Sequence, residues 1–156
     1  MEKQAVVSIL EFYKNIDEEI RLNKAAITDL EERYYSSNSG INYDGMPKGK
    51  GGTSNPTEST ALNVPDWVSA ELQELQREKA ALCRVRAAIR KELNRLPYIQ
   101  RAVISSFYLE GQQWVRISAQ IHYSERQCKN IRDCAIDKLG RRFSSNRAVS
   151  GYSFPQ

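Results

Sequence analysis

Apolar positions return every three or four residues along the start of the chain: Val6, Ile9, Tyr13, Ile16, Ile20, Asn23, Ile27, Leu30 and Tyr34. That spacing keeps one face apolar and predicts a single helix over 5–34, about 45 Å long. Only Asn23 is polar in the series, and a lone Asn in such a seam fixes register. The pattern returns in Val68, Leu72, Leu75, Lys79, Leu82, Arg86, Ile89, Leu93 and Leu96, where seven of nine are apolar. It predicts a second long helix over 67–96, with Asp66 as its N-cap. Two matching stripes predict an all-α fold built on a long antiparallel helical hairpin or coiled coil. The stripes pair either within the chain or between the copies of a homodimer, and spacing does not separate the two.

Between the stripes the pattern disappears. Residues 36–66, SSNSGINYDGMPKGKGGTSNPTESTALNVPD, hold five of the eight Gly and three of the five Pro. This composition predicts a flexible linker. Its GMPKGKGG stretch does not meet the requirements of a phosphate-binding loop. Three residues rather than four separate Gly45 from Gly49, and Gly51 follows Lys50 where Ser or Thr is needed.

Shorter amphipathic runs follow in 97–143. Pro97 suits the first turn of a helix reaching about Glu110, with Ile99, Val103 and Phe107 on its apolar face. Gly111 is suited to stop it. Trp114, Ile117 and Ile121 share one side of a short helix. Ser124 and Gln127 match a capping box, so the next helix starts sharply at Ser124 and runs over 124–142. Two short helices separated by about three residues form a helix-turn-helix arrangement. His122 falls in the turn, where positive φ is common and His is enriched among residues other than Gly. Trp114 reads as a core anchor. Residues 144–156, SSNRAVSGYSFPQ, read as a frayed, disordered tail.

Charge sharpens this picture. The chain carries +4 overall, but residues 1–35 hold five basic and eight acidic side chains. Residues 97–143 hold eight basic and four acidic ones. An acidic front and a basic rear point to an anionic partner for the C-terminal half. No stretch approaches the roughly 20 apolar residues of a membrane span, and no secretory signal is recognisable. A soluble protein of the cytoplasm, with no membrane partner, is expected. Cys83, Cys128 and Cys134 form no CxxC pair and read as buried small apolar residues, and a single His leaves a zinc site short of ligands. With no nucleophile–base pair, metal cluster or cofactor loop, neither an enzyme nor a cofactor is expected.

On helix 124–142, 100° per residue places Cys128, Ile131, Ala135 and Leu139 on one face and Arg126, Lys129, Asn130 and Asp133 on the other. Arg126 suits guanine and Asn130 suits adenine in a major groove, while Lys129 suits guanine or phosphate. Asp133 and Asp137 would be repelled by phosphate, so only the first two turns are expected to enter the groove. Ser124 stands at the entry. Arg116 and the Arg141–Arg142 pair are candidate phosphate contacts. The expected partner is double-stranded DNA.

The stretch LPYIQRAVISSFYLEGQQWVRISAQIHYSERQCKNIRDCAIDKLGRRF, Leu96 to Phe143, resembles region 4 of sigma-70-type factors. The whole chain is similar to small phage transcriptional regulators of the RinA and ArpU type. Those join an N-terminal helix, a Gly/Pro loop, a second long helix and a sigma-like helix-turn-helix. His122 here replaces the usual turn Gly, and Gln113 stands where a better N-cap is common. The resemblance implies that Glu125, Arg126, Lys129 and Asn130 read bases. It also implies activation of phage or prophage late genes in a bacterial host, with bacterial RNA polymerase as a partner. Two other readings stand beside it. One is a small-terminase-like packaging adaptor that forms large rings. The other is a sigma-like module that binds polymerase without reading bases.

Overall fold

The computed structural model describes residues 1–35 and 64–155. Among them every regular element is helical: α1 (Lys3–Tyr34), α2 (Asp66–Asn94), α3 (Tyr98–Ile104), a π-helical turn (Ser105–Leu109), α4 (Trp114–Ile121), α5 (Glu125–Ser145) and α6 (Arg147–Ser150). The chain is all-α, and no helix among these residues is long and apolar enough to cross a membrane. Most of the expected linker, including GMPKGKGG, lies outside the described residues. Helix α2 begins at Asp66 itself, so Asp66 is a first-turn residue rather than a cap.

The chain forms two compact units, Met1–Ile20 with Ala81–Gln156, and Arg21–Ala80. Helices α1 and α2 contribute to both. In the second unit they run antiparallel: Asn23 Nδ2 donates to Glu78 Oε2 at 3.2 Å, and the Tyr34 and Trp67 rings meet edge to face at 5.6 Å. Ile27 and Val68 are buried there. The buried Asn23 Oδ1 accepts no hydrogen bond.

The first unit holds the main core. Val6, Ile9, Leu10, Ile16 and Ile20 from α1 pack with Leu82, Val85, Ile89 and Leu93 from α2. Arg86 bonds Asp17 across this pair at 2.6 Å. In each unit the stripe of α1 is covered by α2 of the same chain, so the within-chain pairing is the one adopted. The same core takes in Ile104, Ala135, Ile136, Leu139, Phe143 and Val149. Each buried Val, Leu, Ile or Phe of this core contributes about 1.5–3 kcal/mol. Residues 97–143 are therefore not an independent module, because the first turns of α1 supply part of their core.

Two expectations are corrected here. The helix from Tyr98 does not continue regularly to Glu110. It widens to a π turn at Ser105, closed by the Glu110 N–H on the Ser105 carbonyl at 3.0 Å. Adjacent aromatic rings thereby serve two cores: Tyr108 packs on the main one, and Phe107 on a smaller cluster of Val103, Ile117 and Cys128. Gly111 ends the segment with φ +67°, as the sequence anticipates. The second correction concerns the tail. Asn146 caps α6 by accepting the Ala148 N–H at 3.1 Å, and Val149 is fully buried. Tyr152 and Phe154 pack on Phe12 at ring separations of 5.5 and 5.2 Å. Residues 144–155 are ordered because these three apolar side chains complete the core.

Candidate nucleic-acid interface

Helices α4 and α5 meet through residues 122–124. His122 takes the left-handed conformation, φ 60° and ψ 35°, and reverses the chain. The Tyr123 carbonyl is held from both sides: the Ser118 hydroxyl of α4 donates to it, and so does the Cys128 thiol of α5 at 3.9 Å. Ser124 then caps α5. Its Oγ accepts the Gln127 N–H at 3.2 Å, and its own N–H donates to Gln127 Oε1 at 3.0 Å. Both halves of the capping box are present. Gln113, at the start of α4, makes no side-chain cap bond. The Ser118 contact was not read from the sequence, where Ser118 is an unremarked small polar residue.

Packing fixes which face of α5 is free. Cys128, Ala135 and Leu139 are fully buried, and Ile131 packs against the small cluster. Burial pushes the Cys128 thiol above its ordinary range, which keeps it neutral. Cys134 is exposed and Cys83 half-buried, so only one of the three cysteines has the buried character expected of all. Trp114 stacks on Phe107 at 4.3 Å, in keeping with an anchoring role. Lys129 Nζ lies 6.0 Å and Arg132 Cζ 5.4 Å from the Trp114 ring centre. The ring's negative face thus braces two cations at the start of α5.

The structure brings five of the candidate residues together. Ser124 at the cap and Glu125, Arg126, Lys129 and Asn130 on the first two turns of α5 are all exposed. Arg126 and Asn130 make no hydrogen bond or ion pair among the described residues, so their donors face solvent. The Ser124 hydroxyl is committed to Gln127 and serves the helix start. Glu125 sits in the first turn, where the helix dipole favours an acid. Arg132, passed over in the sequence, joins the group and pairs with Asp133 at 2.8 Å.

Beyond the second turn the character of α5 changes. Asp133 is neutralised by Arg132, and Asp137 pairs with Lys3 of α1 at 3.5 Å. A Cβ on Gly140 would lie 3.0 Å from the Met1 carbonyl, so the start of α1 crosses α5 there. Arg116 is exposed on α4. Arg141 and Arg142 lie at the far end of α5, about 22 Å along the axis from Arg126. Arg142 Nη1 donates to the Glu92 carbonyl at 3.5 Å, so this pair belongs to a different place in the fold.

No family model matches the chain, and neither a curated protein nor a solved structure shows significant similarity to it.

Proposed function

We propose that this chain is a sequence-specific regulator of transcription that binds double-stranded DNA through the first two turns of α5. One observation carries the reading. Arg126, Lys129 and Asn130 stand together and exposed just after a fully capped helix start, while the two acids that follow on the same stripe, Asp133 and Asp137, are paired within the chain. A recognition helix requires that asymmetry, because its N-terminal turns meet base edges and its remaining length must be held by the fold. Arg126 and Asn130 are the forked donors that discriminate guanine and adenine. Lys129 and Arg116 supply charge to the phosphates flanking them. The resemblance to sigma region 4 and to the RinA and ArpU regulators extends the proposal to late-gene activation in a phage or prophage, alongside bacterial RNA polymerase. The α1–α2 pair, its stripe already covered, offers its outer surface to that partner.

Fluorescence-anisotropy titration of labelled duplex at several salt concentrations tests the proposal. Arg116, Arg126 and Lys129 together bring three cations to the duplex and give a slope of about −3 in log K against log salt. The Arg126→Ala, Lys129→Ala variant is expected to lose affinity and flatten that slope by about one to two. Wild-type protein that fails to bind duplex at low salt, or a variant indistinguishable from it, contradicts the reading.

A further inference from the structure

The end of α2, the last turns of α5 and the start of α6 enclose a concavity of about 520 Å³. It is lined by Glu92, Arg95, Arg141, Arg142, Ser145, Asn146 and Arg147. Four arginines, Arg95 just after α2, Arg141 and Arg142 on α5 and Arg147 on α6, line it with a single acid, Glu92. Glu92, only 4% exposed, is fully used within the fold: its Oε2 accepts from Arg95 at 3.2 Å and its Oε1 from Asn146 Nδ2 at 3.1 Å. Glu92 therefore braces Arg95 and the α5–α6 junction. Arg141 and Arg147 are exposed, and their side chains make no hydrogen bond or ion pair among the described residues, while the Arg142 fork reaches only a backbone carbonyl.

Like charges gathered in one hollow repel each other unless an anion joins them. The dipole of α5 favours a cation or two at its C-terminus, but it does not call for four guanidiniums around one recess. The planar fork of Arg matches phosphate oxygens two at a time. The pocket's surplus of three positive charges suits a ligand that concentrates negative charge, as linked phosphates do and single carboxylates do not.

We infer that the Arg95–Arg141–Arg142–Arg147 pocket is a binding site for an oligophosphate group, free or carried on a nucleotide. It is separate from the DNA-reading turns of α5. The separation rests on the proposed function: only the first two turns of α5 read bases, and Arg141 lies about 22 Å along the helix axis from Arg126. The pocket itself stands on its own geometry. An oligophosphate bound there bridges α2, α5 and α6 and couples ligand level to the stability of the unit that carries the reader.

Calorimetric titration with inorganic tripolyphosphate tests the inference, with a nucleoside triphosphate run beside it to distinguish free from nucleotide-borne phosphate. Saturable binding is expected, weakened about tenfold or more in Arg141→Ala, Arg147→Ala and unchanged within about twofold in Arg126→Ala, Lys129→Ala. Arg141→Lys, Arg147→Lys keeps the charge and loses the fork, and is expected to fall between. Both substituted side chains are exposed, and circular dichroism checks that the fold is kept. No saturable heat up to about 10 mM of either anion overturns the inference. So does equal weakening by the Arg126 and Lys129 changes. Duplex titration separates this from the proposed function: wild-type protein that binds tripolyphosphate but no DNA sinks the regulator and leaves the pocket. If the Arg141 and Arg147 changes abolish duplex binding and tripolyphosphate does not bind, the pocket holds DNA phosphate and the inference fails.

Discussion

Ser124 and Gln127 exchange hydrogen bonds at the start of α5, the hydroxyl accepting at 3.2 Å and the side-chain carbonyl of Gln127 accepting at 3.0 Å. Two N–H groups that the helix leaves open are thereby satisfied. Ser124→Ala removes one and is expected to lower stability by about 1 kcal/mol. Ser124→Asp retains the cap and is expected to recover most of that loss. Urea denaturation of the three proteins checks this, and a Ser124→Ala midpoint equal to wild type contradicts it.

His122 holds φ 60° with a side chain that tolerates it poorly. His122→Gly relieves the strain at the expense of a more flexible unfolded chain, so stability should hold or rise by up to about 1 kcal/mol. His122→Val, β-branched, should lose more than that and loosen the α4–α5 turn. Melting temperatures are predicted in the order Gly at or above His, with Val lowest. Val equal to His speaks against a left-handed residue at this position.

Asn23 donates to Glu78, but its buried Oδ1 accepts nothing. A buried acceptor without a partner carries a desolvation cost of about 1–3 kcal/mol. Asn23→Leu is expected to raise the urea midpoint. It also removes the one polar residue that marks register in the stripe, so sedimentation should show species beyond the wild-type one. A lower midpoint would mean that the Glu78 bond outweighs the orphaned carbonyl.

Burial raises the Cys128 thiol above its ordinary 9.0, and raises the Tyr13 and Tyr108 hydroxyls above 10.0. Each ionises more readily in the unfolded chain than in the folded one. The stability they provide is complete below their ordinary values and is lost as pH rises through the raised ones. The urea midpoint should therefore fall between about pH 8 and pH 10.5, less steeply in Cys128→Ala. A midpoint that holds or climbs over that range contradicts the burial of these groups.

Local patterns carried far into this fold. The stripes from Val6 to Tyr34 and from Val68 to Leu93 are helical because periodicity is a property of neighbouring residues, and these stripe positions are buried or half-buried. The capping box, the His122 turn and the Gly111 stop are local for the same reason. What the sequence hid depends on distant partners. Glu92 is an ordinary acid until Asn146, 54 residues on, bonds it. Tyr152 and Phe154 stand two residues apart beyond the last helix, and they pack onto the core through Phe12, far away in the sequence. The π turn answers a demand that Phe107 and Tyr108 face different clusters. Arg141 and Arg142 looked like companions of Arg126 because they share a helix, yet four turns of α5 separate them.

The central claim is that the exposed side chains after Ser124 read bases. Selection of bound duplexes from a random library near physiological salt tests it most directly, with wild type beside Arg126→Ala, Lys129→Ala and Asn130→Ala. One enriched motif is expected for wild type, lost in the double variant and relaxed at a single adenine position in Asn130→Ala. No enrichment by wild type, or a motif unchanged by all these substitutions, would contradict it and leave polymerase binding or DNA packaging as the reading of α5.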